Sequence, residues 1–274
     1  MNSPGMLEVV DVVKRYGGVP AVNGATLSVT EGSITALIGP NGAGKTSLFN
    51  VISGFQRPDS GQVLFQGGRV DRLPPYKIAR AGLVRTFQTT KILRRMSVLE
   101  NMLVAGPRQP GEALWRVLAP GAGSRREREL EKRAQMLLSS VKLESHLDAY
   151  AGTLSAGQRK LLEFARALMT EPRMLLLDEP MAGVNPSLRD QLLDQVLRVR
   201  EQEGITFLLI EHDLETVMSV SDTVAVMSQG RVIFVGSPDE VQRNEEVIDA
   251  YLGSRDSTQG ISGTRSQLSL ESPA

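Results

Sequence analysis

The chain has 274 residues, with 31 basic side chains, 31 acidic side chains and no cysteine. Zero formal net charge argues against nucleic-acid binding through overall positive charge, and the missing cysteines exclude disulfides, thiolate metal sites and cysteine nucleophiles. The length suits one large domain or a core with a subdomain. No apolar run reaches the roughly 18 to 20 residues of a membrane span, and Met1–Met6 lacks the features of a secretion signal. We therefore expect a cytoplasmic protein.

Short β-strands are predicted for the N-terminal part of the chain. Alternating apolar residues indicate a strand at Leu7–Val13, and further strands are predicted at Leu27–Thr30 and Gln62–Phe65. The apolar run Ile34–Ile38 is typical of a buried strand. It leads into a glycine-rich loop, and helical spacing over Lys45–Ser53 predicts a helix after that loop.

A helical subdomain is predicted from about Val84 to Ala151. Leucine and methionine recur at helical spacing from Leu93 to Leu103, and Ser124 can cap a helix that runs to about Val141. The stretch Gly106–Gly123 is rich in glycine and proline. We interpret the apolar stripe from Leu93 to Leu103 as part of the subdomain core, with an exposed edge that can receive a helix of a partner protein.

Strands and helices alternate after the subdomain. The predicted strands are Met174–Leu177, Ile205–Ile210, and Thr223–Met227 paired in a hairpin with Arg231–Val235. The predicted helices are one capped by Ser155 and closed by Pro172, one over Pro186–Arg200 that Gly204 ends, and one after the capping box Ser237–Glu240. This order predicts an α/β fold with a mostly parallel sheet covered on both faces.

The strongest chemical signal is the segment Gly39–Thr46, which reads Gly-Pro-Asn-Gly-Ala-Gly-Lys-Thr. It fits the phosphate-binding loop G-x-x-x-x-G-K-[ST] and lies between a predicted buried strand and a helix, as that motif requires. Its glycines allow backbone N–H groups to surround phosphate oxygens. Lys45 would neutralise the β- and γ-phosphates, and Thr46 would bind Mg²⁺.

Two adjacent carboxylates follow the apolar run Leu175–Leu177, at Asp178 and Glu179. Open α/β sheets place their ligands at the carboxyl ends of strands. Asp178 suits Mg²⁺ coordination, and Glu179 suits the polarisation of an attacking water. Acids after a strand are often only solvated loop residues, and the phosphate loop is what favours the functional interpretation here.

At this point the sequence resembles the ABC ATPases. Leu154–Gln158 is similar to the LSGGQ signature of that family, and Gln88 matches its Q-loop. His212 matches the switch histidine, and Tyr16 matches the aromatic residue that stacks on adenine. His212 and Tyr16 alone would be interpreted as structural residues, and the order of the motifs favours a functional role. His146 fits no motif and is expected to be structural.

The resemblance implies a P-loop ABC ATPase core with a mostly parallel sheet, an antiparallel β subdomain and an inserted α-helical subdomain. The core with the β subdomain is expected at residues 1–84 and 159–253. The helical subdomain with the signature is expected at residues 85–158. Residues 254–274 have little apolar content and are expected to form a disordered tail.

The resemblance also implies that two such chains sandwich two ATP molecules. Ser155, Gly157 and Gln158 would face the γ-phosphate bound by the other chain, and His212 would hold the γ-phosphate and order the catalytic Glu179. Mg²⁺ would be held by Thr46, Gln88 and Asp178, with Gln88 also contacting the attacking water. The remaining ATP-binding residues would be Tyr16, Gly39, Asn41, Gly42, Ala43, Gly44, Lys45, Thr46 and Ser47.

Two positions depart from the family pattern. Ala156 replaces the first glycine of the signature pair, at a cost of about 1 kcal/mol if the position needs a positive φ and at almost none otherwise. Ala182–Asn185 replaces the usual SALD, so that an interface aspartate becomes Asn185. These changes concern the coupling between sites rather than hydrolysis.

Several segments are similar to the longer of the two ATPases in branched-chain amino acid importers. They are Arg85–Gln88, Val98–Met102, the insertion Gly106–Gly123, Ala182–Pro186 and Tyr251–Gly253. This resemblance implies a second ABC ATPase as partner in a hetero- or homodimer, two polytopic permeases and, indirectly, an external solute-binding protein. It implies no nucleic acid and a location on the inner face of the cell membrane.

Other functions stay open at this point. Related ABC systems carry urea or amides or export lipids. A soluble ABC ATPase of DNA repair or translation usually has two ATPase units or a long coiled coil, and this chain has one unit and no heptads. A binding-only regulatory subunit would be expected to lack Lys45 or Glu179, and both are present.

Overall fold

The computed structural model describes residues 5–86, 92–107 and 122–251. Gln88, most of the insertion Gly106–Gly123 and the predicted tail 254–274 lie outside the described residues. Of residues 122–124 only the backbone is described. No helix within the described ranges is long and apolar enough to cross a membrane.

Strands and helices follow one another in an α/β order. The strands are β1 Leu7–Tyr16, β2 Val19–Val29, β3 Ile34–Ile38, β4 Ser60–Phe65, β5 Gly68–Arg69, β6 Leu83–Arg85, β7 Met174–Asp178, β8 Thr206–Ile210, β9 Thr223–Ser228 and β10 Arg231–Gly236. The helices are α1 Lys45–Ile52, α2 Pro75–Arg80, α3 Val98–Ala105, α4 Ala122–Ser140, α5 Ala156–Met169, α6 Pro186–Glu203, α7 Leu214–Val220 and α8 Pro238–Arg243.

A six-stranded sheet forms the centre of the fold, with strand order β10-β9-β3-β8-β7-β6. Its strands are parallel except for β10, which forms the predicted antiparallel hairpin with β9. Every residue of β3, β7 and β8 is buried, as the three apolar runs predicted. Alternate side chains of these strands enter two separate hydrophobic clusters, so both faces are covered. The predicted fold class is confirmed.

A separate four-stranded antiparallel sheet has the order β2-β1-β4-β5. β2 begins at Val19, well before the predicted start at Leu27, because its first residues pair with the end of β1 around a turn at Gly17-Gly18. Both glycines have positive φ, of 53° and 87°. The pairing is a tertiary contact, and the first residues of β2, Val19–Asn23, show no alternation of apolar and polar residues on their own.

Helices α3, α4 and α5 pack against one another, and α3 and α4 lie within the stretch predicted to be helical. Leu130, Ala134 and Leu137 of α4, with Val141 just after it, recur at helical spacing and are buried. The prediction that Ser124 caps this helix is wrong, because α4 begins at Ala122 and Ser124 therefore lies in its first turn.

The predicted helical stripe from Leu93 to Leu103 is only partly helical. The capping box of Ser97 and Glu100 starts α3 at Val98, so Leu93 and Met96 precede the helix. The side chain of Asn101 holds that preceding segment, since it accepts a hydrogen bond from the Leu93 amide at 2.8 Å and donates to the Leu93 carbonyl at 3.0 Å.

The predicted helix ends in the C-terminal half agree with the structure. Ser155 and Ser237 each form a capping box, with Gln158 and Glu240 respectively. Gly204, with φ of 66°, ends α6. Because β8 lies between β3 and β7, the loops after these three strands meet at one edge of the sheet.

Candidate functional site

The loop between β3 and α1 depends on glycine at two close backbone approaches. Gly39 and Gly44 have φ of 148° and 103°. A Cβ at Gly39 would overlap the carbonyl oxygen of Met227, and a Cβ at Gly44 would overlap that of Ala21. The loop is therefore packed against β9 and β2. Glycine is required at these two positions both because a Cβ would clash and because φ is positive.

Lys45 is buried at the start of α1 and folds over this loop. Its ammonium donates to the carbonyls of Gly39 at 2.7 Å and Pro40 at 3.0 Å. Burial lowers the pKa of Lys45, and the nearby Glu179 carboxylate opposes that shift. A cation in this position can bind an anionic ligand in the cleft beside it.

A cleft of about 240 Å³ opens over the loop. Its lining residues are Ala21, Asn41, Gly42, Ala43, Gly44, Lys45, Thr46, Ser47, Glu179 and His212. The structure thus brings most of the predicted ATP-binding residues together with the two predicted catalytic residues that it describes. Backbone amides at the start of α1, with the positive end of its dipole, form a site suited to phosphate groups.

Glu179 and His212 meet above the phosphate loop. Nε2 of His212 lies 2.6 Å from Oε1 of Glu179. The two residues follow β7 and β8, and the Glu179 amide donates to the Ile210 carbonyl at 3.0 Å. Glu179 has φ of 49°, a conformation rare for a non-glycine residue. Its carboxylate is thereby aimed into the cleft, where it can accept a proton from a water.

Asp178 lies just behind this pair and is almost fully buried. Its Oδ2 accepts a hydrogen bond from the Arg85 guanidinium at 2.7 Å, in an ion pair whose side chains are 7% and 4% exposed. This ion pair could not be predicted from the sequence, because the two residues are 93 positions apart. Asp178 therefore has a fixed cationic neighbour in addition to any metal that it binds.

Thr46 and Asp178 offer a hydroxyl and a carboxylate, which are hard oxygen ligands that suit Mg²⁺. Within the described ranges, no group of three or more His, Cys, Asp or Glu side chains could hold a metal ion. Mg²⁺ commonly uses one or two protein ligands with substrate phosphates and water. The residues present therefore fit Mg²⁺ bound together with a nucleotide.

The signature residues do not line this cleft. Ser155 and Gln158 form the capping box of α5, with Ser155 Oγ accepting from the Gln158 amide at 3.2 Å. Gly157 packs so closely on Leu188 of α6 that a Cβ would overlap its side chain. Their predicted contact with the nucleotide of a second chain stays a prediction.

The two departures from the family pattern have simple structural accounts. Ala156 is the first residue of α5 and is not among the described residues with positive φ, so alanine carries no backbone penalty there. Asn185 is the N-cap of α6, and its side chain accepts from the Leu188 amide at 2.9 Å. Asparagine and aspartate cap helices about equally well.

Tyr16 and His146 lie at different places. Tyr16 is exposed at the end of β1 with the Lys14 ammonium 5.8 Å from its ring centre, and it does not line the cleft. Its adenine contact stays a prediction. His146 contacts Ser145 and lies 3.4 Å from the signature Gln158, in keeping with its structural interpretation.

Sequence reasoning missed Lys160 and Glu211, which hold the loop 179–182 that follows β7. The Lys160 ammonium donates to the carbonyls of Glu179, Pro180 and Ala182. Glu211 is 4% exposed and accepts hydrogen bonds from the Met181 and His212 amides at 2.9 and 3.3 Å. Burial lowers the pKa of Lys160 and raises that of Glu211.

Replacing Lys160 is expected to loosen the loop 179–182. Lys160→Met should lower the free energy of unfolding by about 2 kcal/mol, because three carbonyls lose a charged donor. The urea midpoint of the purified chain measures this change. Lys132→Met, at an exposed lysine of α4, is the control, and equal midpoints for the two variants would contradict a stabilising role of Lys160.

Tyr251, at the end of the helical stretch 245–251, reaches the phosphate loop from the C-terminal side. Its phenolic oxygen accepts a hydrogen bond from the Gly39 amide, and burial raises the pKa of Tyr251 to about 12. Tyr251 belongs to one of the segments that suggested the importer resemblance.

Comparisons with known proteins agree with this geometry. The family model "ABC transporter" matches residues 22–182, and the model "Branched-chain amino acid ATP-binding cassette transporter" matches residues 231–257. The high-affinity branched-chain amino acid transport ATP-binding protein BraF of Pseudomonas aeruginosa is 43% identical over 92% of this chain and 99% of its own length. The probable branched-chain amino acid transport ATP-binding protein LivG of Archaeoglobus fulgidus is 40% identical over 92% of this chain and 97% of its own length.

Solved structures give the same result. A nucleotide-free ATP-binding cassette from an ABC transporter superposes with a TM-score of 0.76 at 39% identity, over 90% of this chain and 98% of the other. Another ATP-binding cassette of an ABC transporter, in its ADP conformation, superposes with a TM-score of 0.77 at 37% identity. The match covers 92% of this chain and 100% of the other. This chain belongs to the ABC transporter family, as a nucleotide-binding, ATP-hydrolysing subunit whose C-terminal region is of the branched-chain amino acid type.

Proposed function

We propose that this chain energises the uptake of branched-chain or other hydrophobic amino acids through separate membrane permeases. The observation that supports its ATPase chemistry most directly is the 2.6 Å contact between His212 and Glu179 above the phosphate loop. The amino acid class is supported by the printed names of the relatives and by the matched C-terminal segment.

The phosphate loop, residues Gly39 to Ser47, would bind the β- and γ-phosphates. Its backbone amides and the Lys45 ammonium would make the contacts. Glu179 would act as general base on the attacking water. His212 would orient the Glu179 carboxylate and contact the γ-phosphate. Thr46 and Asp178 would hold Mg²⁺ together with Gln88, which lies outside the described residues. Bound Mg²⁺ would neutralise charge on the phosphate oxygens.

Two ATPase subunits would form the working unit. Ser155, Gly157 and Gln158 would contact the nucleotide of the partner subunit, and Tyr16 would stack on adenine. Residues 85–158 would act as the helical subdomain that contacts the permeases, and residues 1–84 and 159–253 as the ATP-binding core. The assembly would include two permeases and an external solute-binding protein, with this chain on the inner face of the membrane.

Uptake of labelled leucine in a native host that lacks this chain tests the proposal. Complementation with the wild-type chain should restore uptake, and complementation with Glu179→Gln should not. Immunoblots for equal expression of the two proteins are the control. If the deletion leaves leucine uptake unchanged while the purified chain hydrolyses ATP, the solute assignment is wrong, and urea, amides and lipid export are the next candidates.

A further inference from the structure

Arg85, the last residue of β6, holds the carboxylate that the proposed function assigns to Mg²⁺. Its Nη2 donates to Asp178 Oδ2 at 2.7 Å, and both side chains are almost fully buried. A buried ion pair of this kind is costly to break on one side only, because the remaining charge loses its partner. The orientation and the local charge of Asp178 therefore depend on Arg85.

Arg85 is itself fixed by α1, the helix that follows the phosphate loop. Its Nη1 donates to Asn50 Oδ1 at 2.8 Å and to Ser53 Oγ at 3.0 Å. The rings of Phe49 and Phe55 lie 5.7 and 5.8 Å from the guanidinium carbon. A planar group with several donors can make these contacts at once, which a lysine ammonium cannot do equally well.

We propose that Arg85 is a positioning residue whose guanidinium occupies one oxygen of the Asp178 carboxylate and partly neutralises its charge, and that it thereby limits how strongly the site holds a divalent cation. This inference rests on the proposed function, which makes Asp178 a Mg²⁺ residue. The physical reason is that the guanidinium engages one carboxylate oxygen and repels a second cation near the same group. In a partly buried site such charges interact more strongly than in water.

The measured quantity is the ratio of affinities for a non-hydrolysable fluorescent ATP analogue with Mg²⁺ and with EDTA. Arg85→Met should raise this ratio by about three- to tenfold, because the carboxylate loses its competing cation. Arg85→Lys keeps the charge and should bring the ratio back towards the wild-type value. Arg80→Met, at an exposed arginine of α2, is the matched control and should leave the ratio unchanged.

A merely structural role for Arg85 predicts the opposite sign, since a disordered Asp178 would hold Mg²⁺ less well. An unchanged or lower ratio in folded Arg85→Met therefore overturns the inference. If Arg85→Met does not fold, Arg85→Gln provides the same neutralisation with a polar side chain that can still contact Asn50 and Ser53.

Asp178→Asn separates the inference from the proposed function. If Asp178→Asn lowers the affinity ratio and neither Arg85→Met nor Arg85→Gln raises it, only the role of Arg85 is wrong. If Asp178→Asn leaves the ratio unchanged, Asp178 is not a Mg²⁺ residue, and the role of Arg85 fails together with that part of the proposed function.

Discussion

Glu179→Gln is expected to slow ATP hydrolysis by about 10²- to 10⁴-fold, because a positioned general base contributes that much to the rate and an amide cannot accept the proton of the attacking water. The variant should still bind ATP, since the phosphate loop and Lys45 are unchanged. Steady-state phosphate release measures the rate, and fluorescence of a bound ATP analogue measures the affinity.

Glu171→Gln provides a matched control for that experiment. Glu171 is an exposed glutamate with φ of 55°, close to the 49° of Glu179, and it lies outside the cleft. Any general effect of a glutamine in this backbone conformation appears in both variants. Near-normal turnover in Glu179→Gln would overturn the assignment of the general base.

The second large effect is expected from Lys45→Ala, which should weaken ATP binding by about 10- to 100-fold. Hydrogen bonds to charged groups contribute about 1.5–3 kcal/mol each, and the ammonium is the cation that the phosphate loop itself provides in the cleft. Equilibrium titration with a fluorescent ATP analogue in EDTA measures the change without a contribution from the metal.

Lys77→Ala, at an exposed lysine of α2, is the control for the loss of one positive charge. Lys45 also donates to two loop carbonyls, so a melting curve of Lys45→Ala is needed to establish that the protein is still folded. An unchanged nucleotide affinity in a folded Lys45→Ala protein would contradict the phosphate-binding role.

The central sheet could be predicted closely because its strands are buried on both faces. β3, β7 and β8 are nearly continuous apolar runs, and such runs are visible in a sequence without any tertiary information. β2 and the segment before α3 could not be predicted in the same way. β2 depends on pairing with β1, and the segment at Leu93 depends on the Asn101 side chain.

The candidate site, too, has parts that could be predicted from the sequence and parts that could not. The phosphate loop could be identified from its residue types and spacing, because phosphate binding needs glycines, a lysine and a hydroxyl in a fixed order. The partners of Asp178 and of the loop after Glu179 could not, because Arg85 and Lys160 reach them from distant elements. Such contacts depend on how strands and helices are arranged in space.

The backbone conformation at Glu179 affects which residues can replace it during evolution of the sequence. A left-handed conformation costs a side-chain-bearing residue about 1 kcal/mol relative to glycine, and Glu179 holds φ of 49°. A sequence chosen for stability alone would therefore favour glycine there, and a sequence chosen for chemistry needs the carboxylate. If Glu179 is the general base as proposed, stability and activity place opposite requirements on this one residue, and the strained backbone is kept for the sake of its carboxylate.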